Sequence, residues 1–163
     1  MRILLLGSTG QVGWEAQRAL APLGEVIGLD YPDVDFTRPE RLSRLVADLR
    51  PQVIYNAVAY TAVDKAESEP ERVRVINAAA TGVLAEAAAR LKAVLIHFST
   101  DYIFDGTKGS PYVETDAPNP LNVYGQTKLE GERMVQQVDC AFLVLRTAWV
   151  YSTRRDSFVK KVL

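Results

Sequence analysis

Short apolar runs alternate with longer amphipathic stretches along the whole chain, and this pattern limits the possible folds more than any other feature. The runs are continuous rather than alternating, which is typical of parallel strands buried on both faces. Strands separated by helices form βαβ units and hence a parallel sheet. The sequence therefore predicts an α/β fold, a doubly wound parallel sheet with strands at Arg2–Leu6, Glu25–Leu29, Val53–Ala57, Ala93–Phe98 and Ala141–Arg146.

Helices are predicted in the gaps between these strands. The first begins near residue 11 and ends before residue 24. The second opens at Thr37, which stands three residues before Glu40 with the spacing of a capping box, and ends at about Arg50. A long alanine-rich helix is predicted over residues 71–92, because alanine has a high helix propensity and packs closely on a sheet.

Two further segments do not fit this alternation. Residues 105–122 contain five glycine or proline residues and are predicted to form a long ordered loop, a kind of segment that often carries function. Residues 157–163 look like a helix that has just begun, without a cap or polar tail. We therefore expect the protein to continue beyond these residues.

Charge and cysteine content exclude several classes of function. The 163 residues hold 19 Lys and Arg against 20 Asp and Glu, so no broad basic field attracts nucleic acid or an anionic membrane. Cys140 is the only cysteine, which excludes an internal disulfide and a cysteine-rich metal site. These features favour one globular domain in a reducing cytoplasm.

Three glycines stand where the first strand turns into the first helix. Gly7, Gly10 and Gly13 have the spacing G-x-x-G-x-x-G, which allows a tight turn and a close approach of the backbone to phosphate. Asp30 ends the second strand, where a carboxylate can accept hydrogen bonds from the hydroxyls of an adenosine ribose. Together these residues predict a Rossmann-like domain that binds a dinucleotide, although a glycine-rich turn alone can be purely structural.

Tyr124 and Lys128 lie four residues apart at the head of a predicted helix, so both side chains project from one face. A nearby ammonium is expected to lower the pKa of the phenol and make Tyr124 usable as an acid or base. The C-terminal end of the fourth strand carries Ser99, Thr100 and Asp101, in the crevice where open α/β sheets bind ligands. A hydroxyl there can hold a substrate carbonyl.

Structural roles are the simpler interpretation of three other features. His97 is the only histidine and lies within an apolar strand, so we expect a packed residue rather than a metal ligand or base. Trp149 follows the fifth strand and is expected in the core, although an aromatic residue there can also line a sugar site. The charged residues from Asp64 to Glu71 are expected to form a solvated loop and helix start.

With these motifs the chain resembles the extended short-chain dehydrogenase/reductases, and among them the dTDP-4-dehydrorhamnose reductases. The likeness extends over essentially all 163 residues. Five blocks resemble those of the family and stand in the same order: GSTGQVG at 7–13, AVDKAE at 62–67, STDYIF at 99–104, NVYG at 122–125 and RTAWVY at 146–151.

The resemblance implies a role for each matching residue. It implies that Tyr124 donates the proton, that Lys128 orients the nicotinamide ribose and tunes Tyr124, and that Thr100 holds the C4 carbonyl. It implies that Asp101 and Trp149 contact the sugar. The residues implied to bind the cofactor are Gly7, Gly10, Gln11, Val12, Gly13, Asp30, Asp35, Phe36, Ala59, Tyr60, Thr61, Phe98, Tyr124 and Lys128.

The chemistry implied is the reduction of dTDP-4-dehydro-L-rhamnose to dTDP-L-rhamnose with NADPH or NADH. Asp30 would favour NADH by repelling a 2′-phosphate, and Arg38 could offset that effect. Glu15 matches a position that some members link to a magnesium-assisted homodimer. Members of the family continue into a C-terminal lobe over the nucleotide sugar, so residues 1–163 would be the dinucleotide-binding domain of a longer reductase with doubtful activity on their own.

Two rival functions are compatible with the same residues. A nucleotide-sugar epimerase or dehydratase of the same superfamily uses the same tyrosine, lysine and dinucleotide. A non-catalytic regulatory subunit, similar to that of methionine adenosyltransferase, shares the fold. The presence of Thr100, Tyr124 and Lys128 argues against the regulatory subunit.

Overall fold

The computed structural model describes residues 1–152 and Val162. All strand pairs in its single sheet are parallel. The strands are β1 Arg2–Leu6, β2 Glu25–Leu29, β3 Val53–Asn56, β4 Val94–Thr100 and β5 Ala141–Thr147, and they lie in the order β2-β1-β3-β4-β5. The α/β class and the doubly wound parallel sheet are confirmed, and each strand end falls within two residues of its prediction.

Helices connect the strands in the predicted gaps. They are α1 Gln11–Leu20, α2 Pro39–Leu49, α3 Val63–Ala66, α4 Pro70–Arg74, α5 Ala80–Leu91 and α6 Val123–Gln136. Short 3₁₀ turns at Ala21–Leu23 and Asp101–Ile103 complete the first helix and follow β4. Right-handed crossovers place α1 on one face of the sheet and α2, α5 and α6 on the other, where α5 packs against both of its neighbours.

The prediction of one regular helix over residues 71–92 was wrong in one respect. A π-helical turn at Val75–Ala79 lies between α4 and α5. At this turn the buried Asn77 binds the backbone of Tyr60, whose N–H donates to Asn77 Oδ1 at 2.8 Å and whose carbonyl accepts from Asn77 Nδ2 at 3.3 Å. Such turns inside helices are frequent at functional sites.

The predicted capping box at the start of α2 was also wrong. Arg38 is the N-cap, and no described side chain caps the helix there. The Thr37 hydroxyl donates instead to Asp35 Oδ1 at 2.6 Å. Because Thr37 belongs to the loop that Asp35 organises, its side chain is not available to the helix.

The register of the sheet brings the carboxyl ends of the strands together. Leu6 pairs with Leu29 on one side and with Asn56 on the other, and Asn56 pairs with His97. The order of the strands reverses at β1 and β3, which is where open sheets of this kind bind ligands. The loops after β1, β2, β3 and β4 therefore border one crevice.

The two borders of the sheet differ in how their strands are covered. Leu4, Leu5 and Leu6 of the central strand β1 are fully buried. Strand β5 lies at the border and exposes Phe142, Leu143 and Leu145, each by more than a third of its surface. The helix expected at residues 157–163 lies outside the described residues, apart from Val162. Among the described helices none is long and apolar enough to cross a membrane.

Candidate functional site

The glycine-rich turn after β1 is compact. Gly7 has a φ of +80°, in the left-handed region that favours glycine. A Cβ atom on Gly13 would lie 2.0 Å from the Gly7 carbonyl oxygen, so helix α1 can approach the turn only with glycine at that position. The first N–H groups of α1 consequently lie at the crevice, in the arrangement that accepts phosphate.

Asp30 connects the end of β2 to this turn. Its Oδ2 accepts hydrogen bonds from the Thr9 N–H at 3.0 Å and from the Thr9 hydroxyl at 2.5 Å. Its Oδ1 accepts from the Tyr31 N–H at 2.8 Å. The carboxylate is thereby fixed beside the glycine-rich turn, as a group that receives ribose hydroxyls must be.

A cavity of about 390 Å³, here called the Asp30 cavity, opens beside this carboxylate. Within it, Asp35 accepts hydrogen bonds from the hydroxyl and the N–H of Thr37, which lower the pKa of the Asp35 carboxyl. The cavity is lined by Asp30, Tyr31, Val34, Asp35, Phe36, Thr37, Val58, Ala59, Tyr60, Arg72 and Ile76.

A second cavity of about 260 Å³, here called the Tyr124 cavity, includes Gly10 of the glycine-rich turn in its lining. Ala59 lines both cavities, so they are neighbours, and together they are here called the cleft. The Tyr124 cavity is lined by Gly10, Gln11, Val12, Ala57, Ala59, Thr61, Phe98, Ser99, Tyr124, Lys128, Thr147 and Val150.

The start of helix α6 fixes the position of Tyr124. Asn122 is the N-cap, and its Oδ1 accepts from the Gly125 N–H at 2.8 Å. The Val123 N–H donates to Glu67 Oε1 at 2.8 Å. A Cβ on Gly125 would lie 2.3 Å from the Tyr102 carbonyl oxygen, so α6 rests directly on the turn that follows β4. Tyr124 is thus held against the end of that strand.

The expectation that Lys128 lowers the pKa of Tyr124 was wrong. Burial raises the pKa of the phenol, a hydrogen bond with the Thr100 side chain partly opposes the rise, and Asp101 adds to it. The physical reason is that desolvation dominates, while the Lys128 amine contacts His97 and Phe98 of β4. A phenol with a raised pKa keeps its proton near neutral pH, which suits a proton donor.

Lys128 is 2% exposed, so its amine is almost completely withdrawn from water. Its Nζ donates to the Phe98 carbonyl at 2.5 Å and lies 3.2 Å from His97 Nε2. Burial lowers the pKa of Lys128 to about 8, against the opposing effect of Glu132. His97 is therefore a packed residue, as expected, and it also contacts this lysine.

The residues expected to bind the sugar occupy different surroundings. Thr100 is buried at the end of β4, where its Oγ1 accepts from the Tyr102 N–H at 3.2 Å and donates to Asp101 Oδ1 at 3.1 Å. Asp101 is exposed. Trp149 is 72% exposed and has a φ of +51°, so its expected place in the core was wrong, and the structure leaves it accessible at the carboxyl end of β5.

Sequence reasoning missed part of the cleft. Arg72 and Ile76 line the Asp30 cavity from α4 and the π-helical turn, although no motif marks them. The run from Asp64 to Glu71 is mostly solvated, as expected, but Glu67 in it also holds the start of α6. Glu15 pairs with Arg18, and the described residues contain no cluster of acids, histidine and cysteine that could hold a metal ion.

Buried polar atoms in the cleft fit an extended polar ligand. In the described part of the chain, Gln11 Oε1, the Tyr60 hydroxyl and Ser99 Oγ are buried without a hydrogen-bond partner. All three residues line one or the other cavity. Because unpaired buried polar groups are costly, they fit cavities that receive a polar ligand, and a dinucleotide has that chemistry.

The whole chain, residues 1–163, matches the family described as "RmlD substrate binding domain". The chain belongs to this family. It is 51% identical over 167 aligned positions to a dTDP-4-dehydrorhamnose reductase of Escherichia coli, an alignment that covers all of this chain and 56% of the relative. The chain therefore spans little more than half the length of that enzyme.

Solved structures show the same fold. A dTDP-4-dehydrorhamnose reductase from Clostridium acetobutylicum superimposes with a TM-score of 0.94 at 40% identity, covering 99% of this chain and 57% of that one. A dTDP-4-dehydrorhamnose reductase from Bacillus anthracis, in complex with NADP, superimposes with a TM-score of 0.93 at 34% identity, covering 98% and 57%. Rossmann-like architecture is confirmed by these matches.

Proposed function

We propose that the protein reduces dTDP-4-dehydro-L-rhamnose to dTDP-L-rhamnose with NADPH or NADH, and that residues 1–163 form its dinucleotide-binding domain. The observation that carries this proposal is the position of Tyr124 and Lys128 in the same cavity as Gly10, Gln11 and Val12 of the glycine-rich turn. A proton donor thus lies in the same cavity as the turn that receives a pyrophosphate.

The two cavities would bind different parts of the dinucleotide. The Asp30 cavity would hold the adenosine, with Asp30 at the ribose hydroxyls and Asp35 and Phe36 near the adenine. The start of α1 would bind the pyrophosphate through backbone N–H groups. Phe98 and Lys128 would border the nicotinamide and its ribose in the Tyr124 cavity. When bound, the reduced nicotinamide supplies a hydride to the carbonyl carbon.

The chain's own residues supply the proton and hold the carbonyl. The Tyr124 hydroxyl gives its proton to the carbonyl oxygen as that oxygen gains negative charge, and Thr100 hydrogen-bonds the same oxygen. Burial keeps Tyr124 protonated until the charge develops, because it raises the pKa of the phenol. Asp101 and the exposed Trp149 would contact the sugar.

The remaining length of the protein would complete the substrate site. The chain covers 56% of its E. coli relative, and we assign the rest of the protein to a lobe that closes over the nucleotide sugar. Such a lobe would also have apolar surface to cover at β5, where Phe142 and Leu143 are exposed. We assign the protein to the cytoplasm, because its single cysteine gives no sign of an oxidising compartment.

The proposal is tested by following cofactor absorbance with the full-length protein and a dTDP-linked 4-keto sugar. We expect one reduced cofactor to be consumed for each sugar converted. Unchanged absorbance with interconversion of two sugars would establish an epimerase instead. Dinucleotide binding without any conversion of the sugar would establish a regulatory protein.

A further inference from the structure

A network of hydrogen bonds connects the buried amine of Lys128 with strand β3. The Val58 N–H donates to Asn56 Oδ1 at 3.1 Å, and Asn56 Nδ2 lies 3.1 Å from His97 Nδ1. His97 Nε2 lies 3.2 Å from Lys128 Nζ. Asn56 and His97 are each only 1% exposed, so water does not substitute for either contact.

The groups at the two ends of this hydrogen-bond network have fixed roles as donor or acceptor. The Val58 N–H can only donate, and the Phe98 carbonyl, 2.5 Å from Lys128 Nζ, can only accept. Between them, Asn56 Oδ1 accepts and Asn56 Nδ2 therefore donates to His97 Nδ1. The ring proton must then lie on His97 Nε2, from which it points at Lys128 Nζ.

This direction suits a neutral lysine and conflicts with a charged one. A neutral amine has one lone pair, which accepts from His97 Nε2–H, and two N–H bonds, one of which donates to the Phe98 carbonyl. An ammonium group has no lone pair. To pair with it, His97 must move its proton to Nδ1, and the Asn56 amide must rotate and leave the Val58 N–H opposite another donor, at the cost of a buried unsatisfied group.

We infer that Asn56 and His97 are positioning residues that couple the proton on Lys128 Nζ to the tautomer of His97 and favour the neutral amine. The value of this coupling to catalysis rests on the proposed function, in which Lys128 stands beside the proton donor Tyr124. The proton positions themselves do not depend on turnover. They can therefore be tested even if the protein catalyses another reaction.

The other groups around the lysine do not provide this coupling. Burial lowers the pKa of Lys128, whereas Glu132 on the same helix raises it. Glu132 is itself paired with Arg146 of β5 at 2.7 Å, which limits its effect on the amine. Tyr124, one turn before Lys128 on α6, keeps its proton because burial raises its pKa. In the described part of the chain, only His97 contacts Nζ with a group that can either donate or accept.

The direct test is ¹⁵N NMR of the His97 ring and of the lysine amines in the full-length protein, with signals assigned by their loss in His97→Phe and Lys128→Met. We expect the proton to move from Nδ1 to Nε2 of His97 as the pH rises between about 6 and 10, with the same midpoint as Lys128. A ring that keeps one tautomer throughout the titration would overturn the inference.

The variant Asn56→Asp reverses the direction of the hydrogen bonds through His97, because a carboxylate accepts from both the Val58 N–H and the His97 Nδ1–H. His97 Nε2 then accepts from the ammonium, and we expect the pKa of Lys128 to rise by about one unit or more. Ile54→Val, on the same strand, tests a small loss of packing and should leave the pKa of Lys128 unchanged.

A double variant distinguishes an effect that passes through the hydrogen bonds of His97 from a direct effect of the new charge. In the His97→Phe background, Asn56→Asp should raise the pKa of Lys128 by less than half as much, because the ring no longer passes the reversal on. An equal rise in both backgrounds would show that the new carboxylate acts through space, and the inference would be wrong.

Discussion

The two cavities of the cleft are built differently although they share Ala59. Most residues that border the Asp30 cavity lie in loops, among them Tyr31, which is 77% exposed. The Tyr124 cavity is bordered by Ser99 and Lys128, which are almost fully buried. Groups that only recognise a ligand can remain in water, whereas groups that move a proton gain from a dry site that shifts their pKa values.

This difference predicts that changes in the Tyr124 cavity alter rate and proton equilibria, and that changes in the Asp30 cavity alter affinity and cofactor choice. Gly13 of the glycine-rich turn lines neither cavity, so a change there should affect stability. If changes in the two cavities alter rate and affinity alike, the two cavities act as one unit.

Tyr124→Phe should have the largest effect, because it removes the transferable proton and keeps the ring. We expect kcat to fall by about 10²–10⁴-fold while dinucleotide affinity stays nearly unchanged. Steady-state kinetics and cofactor titration of the full-length protein measure both. Tyr102→Phe is the matched control, since the Tyr102 ring lies edge-on to Tyr124 with the centroids 5.7 Å apart. Near-normal turnover by Tyr124→Phe would contradict the mechanism.

Lys128→Met should change the way in which the free energy of unfolding depends on pH. A lysine with a lowered pKa in the folded state binds fewer protons there than in the unfolded state between pH 8 and pH 10.5. The free energy of unfolding of the wild type, relative to Lys128→Met, should therefore rise by about 3 kcal/mol as the pH rises through that window. Denaturant unfolding at several pH values measures it, and a pH-independent difference would contradict the lowered pKa.

Gly13→Ala should destabilise the protein, although Gly13 itself lines neither cavity. Its Cβ would lie 2.0 Å from the Gly7 carbonyl oxygen, so the turn or helix α1 must shift. We expect a loss of about 1–3 kcal/mol in the free energy of unfolding. Gly109→Ala is the matched control, because a Cβ there has no described atom within 4 Å. Equal effects of the two substitutions would show that the close approach at Gly13 does not matter.

Asp30→Asn should have the smallest effect, on cofactor choice. Removing the carboxylate charge removes repulsion of a 2′-phosphate, so the ratio of NADPH to NADH affinity should rise by about tenfold. Arg38 Nε lies 3.8 Å from Asp35 Oδ2, so its charge is already partly balanced by that carboxylate. Fluorescence titration with both cofactors measures the ratio. Tighter binding of NADPH than NADH by the wild type would contradict the preference for NADH that Asp30 predicts.

The sequence predicted the strands well because buried parallel strands appear as continuous apolar runs, as in Leu4–Leu6. It could not predict the π-helical turn, since Asn77 there binds Tyr60, seventeen positions earlier in the chain. The capping box failed because Asp35 competes for the Thr37 hydroxyl. Local spacing carries no information on such competing partners.

The same limit applies to the candidate site. The spacing of Tyr124 and Lys128 predicted that they share one helix face, and both line one cavity. Their pKa shifts depend on burial and on contacts with distant strands, so the predicted lowering for Tyr124 was wrong. The sequence predicted only a packed role for His97. Its contacts with Asn56 and Lys128 could not be predicted, because they arise only when β3, β4 and α6 come together.

The central claim is that a hydride passes from the cofactor to a sugar carbonyl held beside Tyr124. The most direct test uses the full-length protein, a dTDP-linked 4-keto sugar and NADPH carrying deuterium at both hydrogens of the nicotinamide C4. Mass spectrometry should find one deuterium at C4 of the sugar for each cofactor oxidised. A product without deuterium, or sugar conversion without oxidation of the cofactor, would contradict the account.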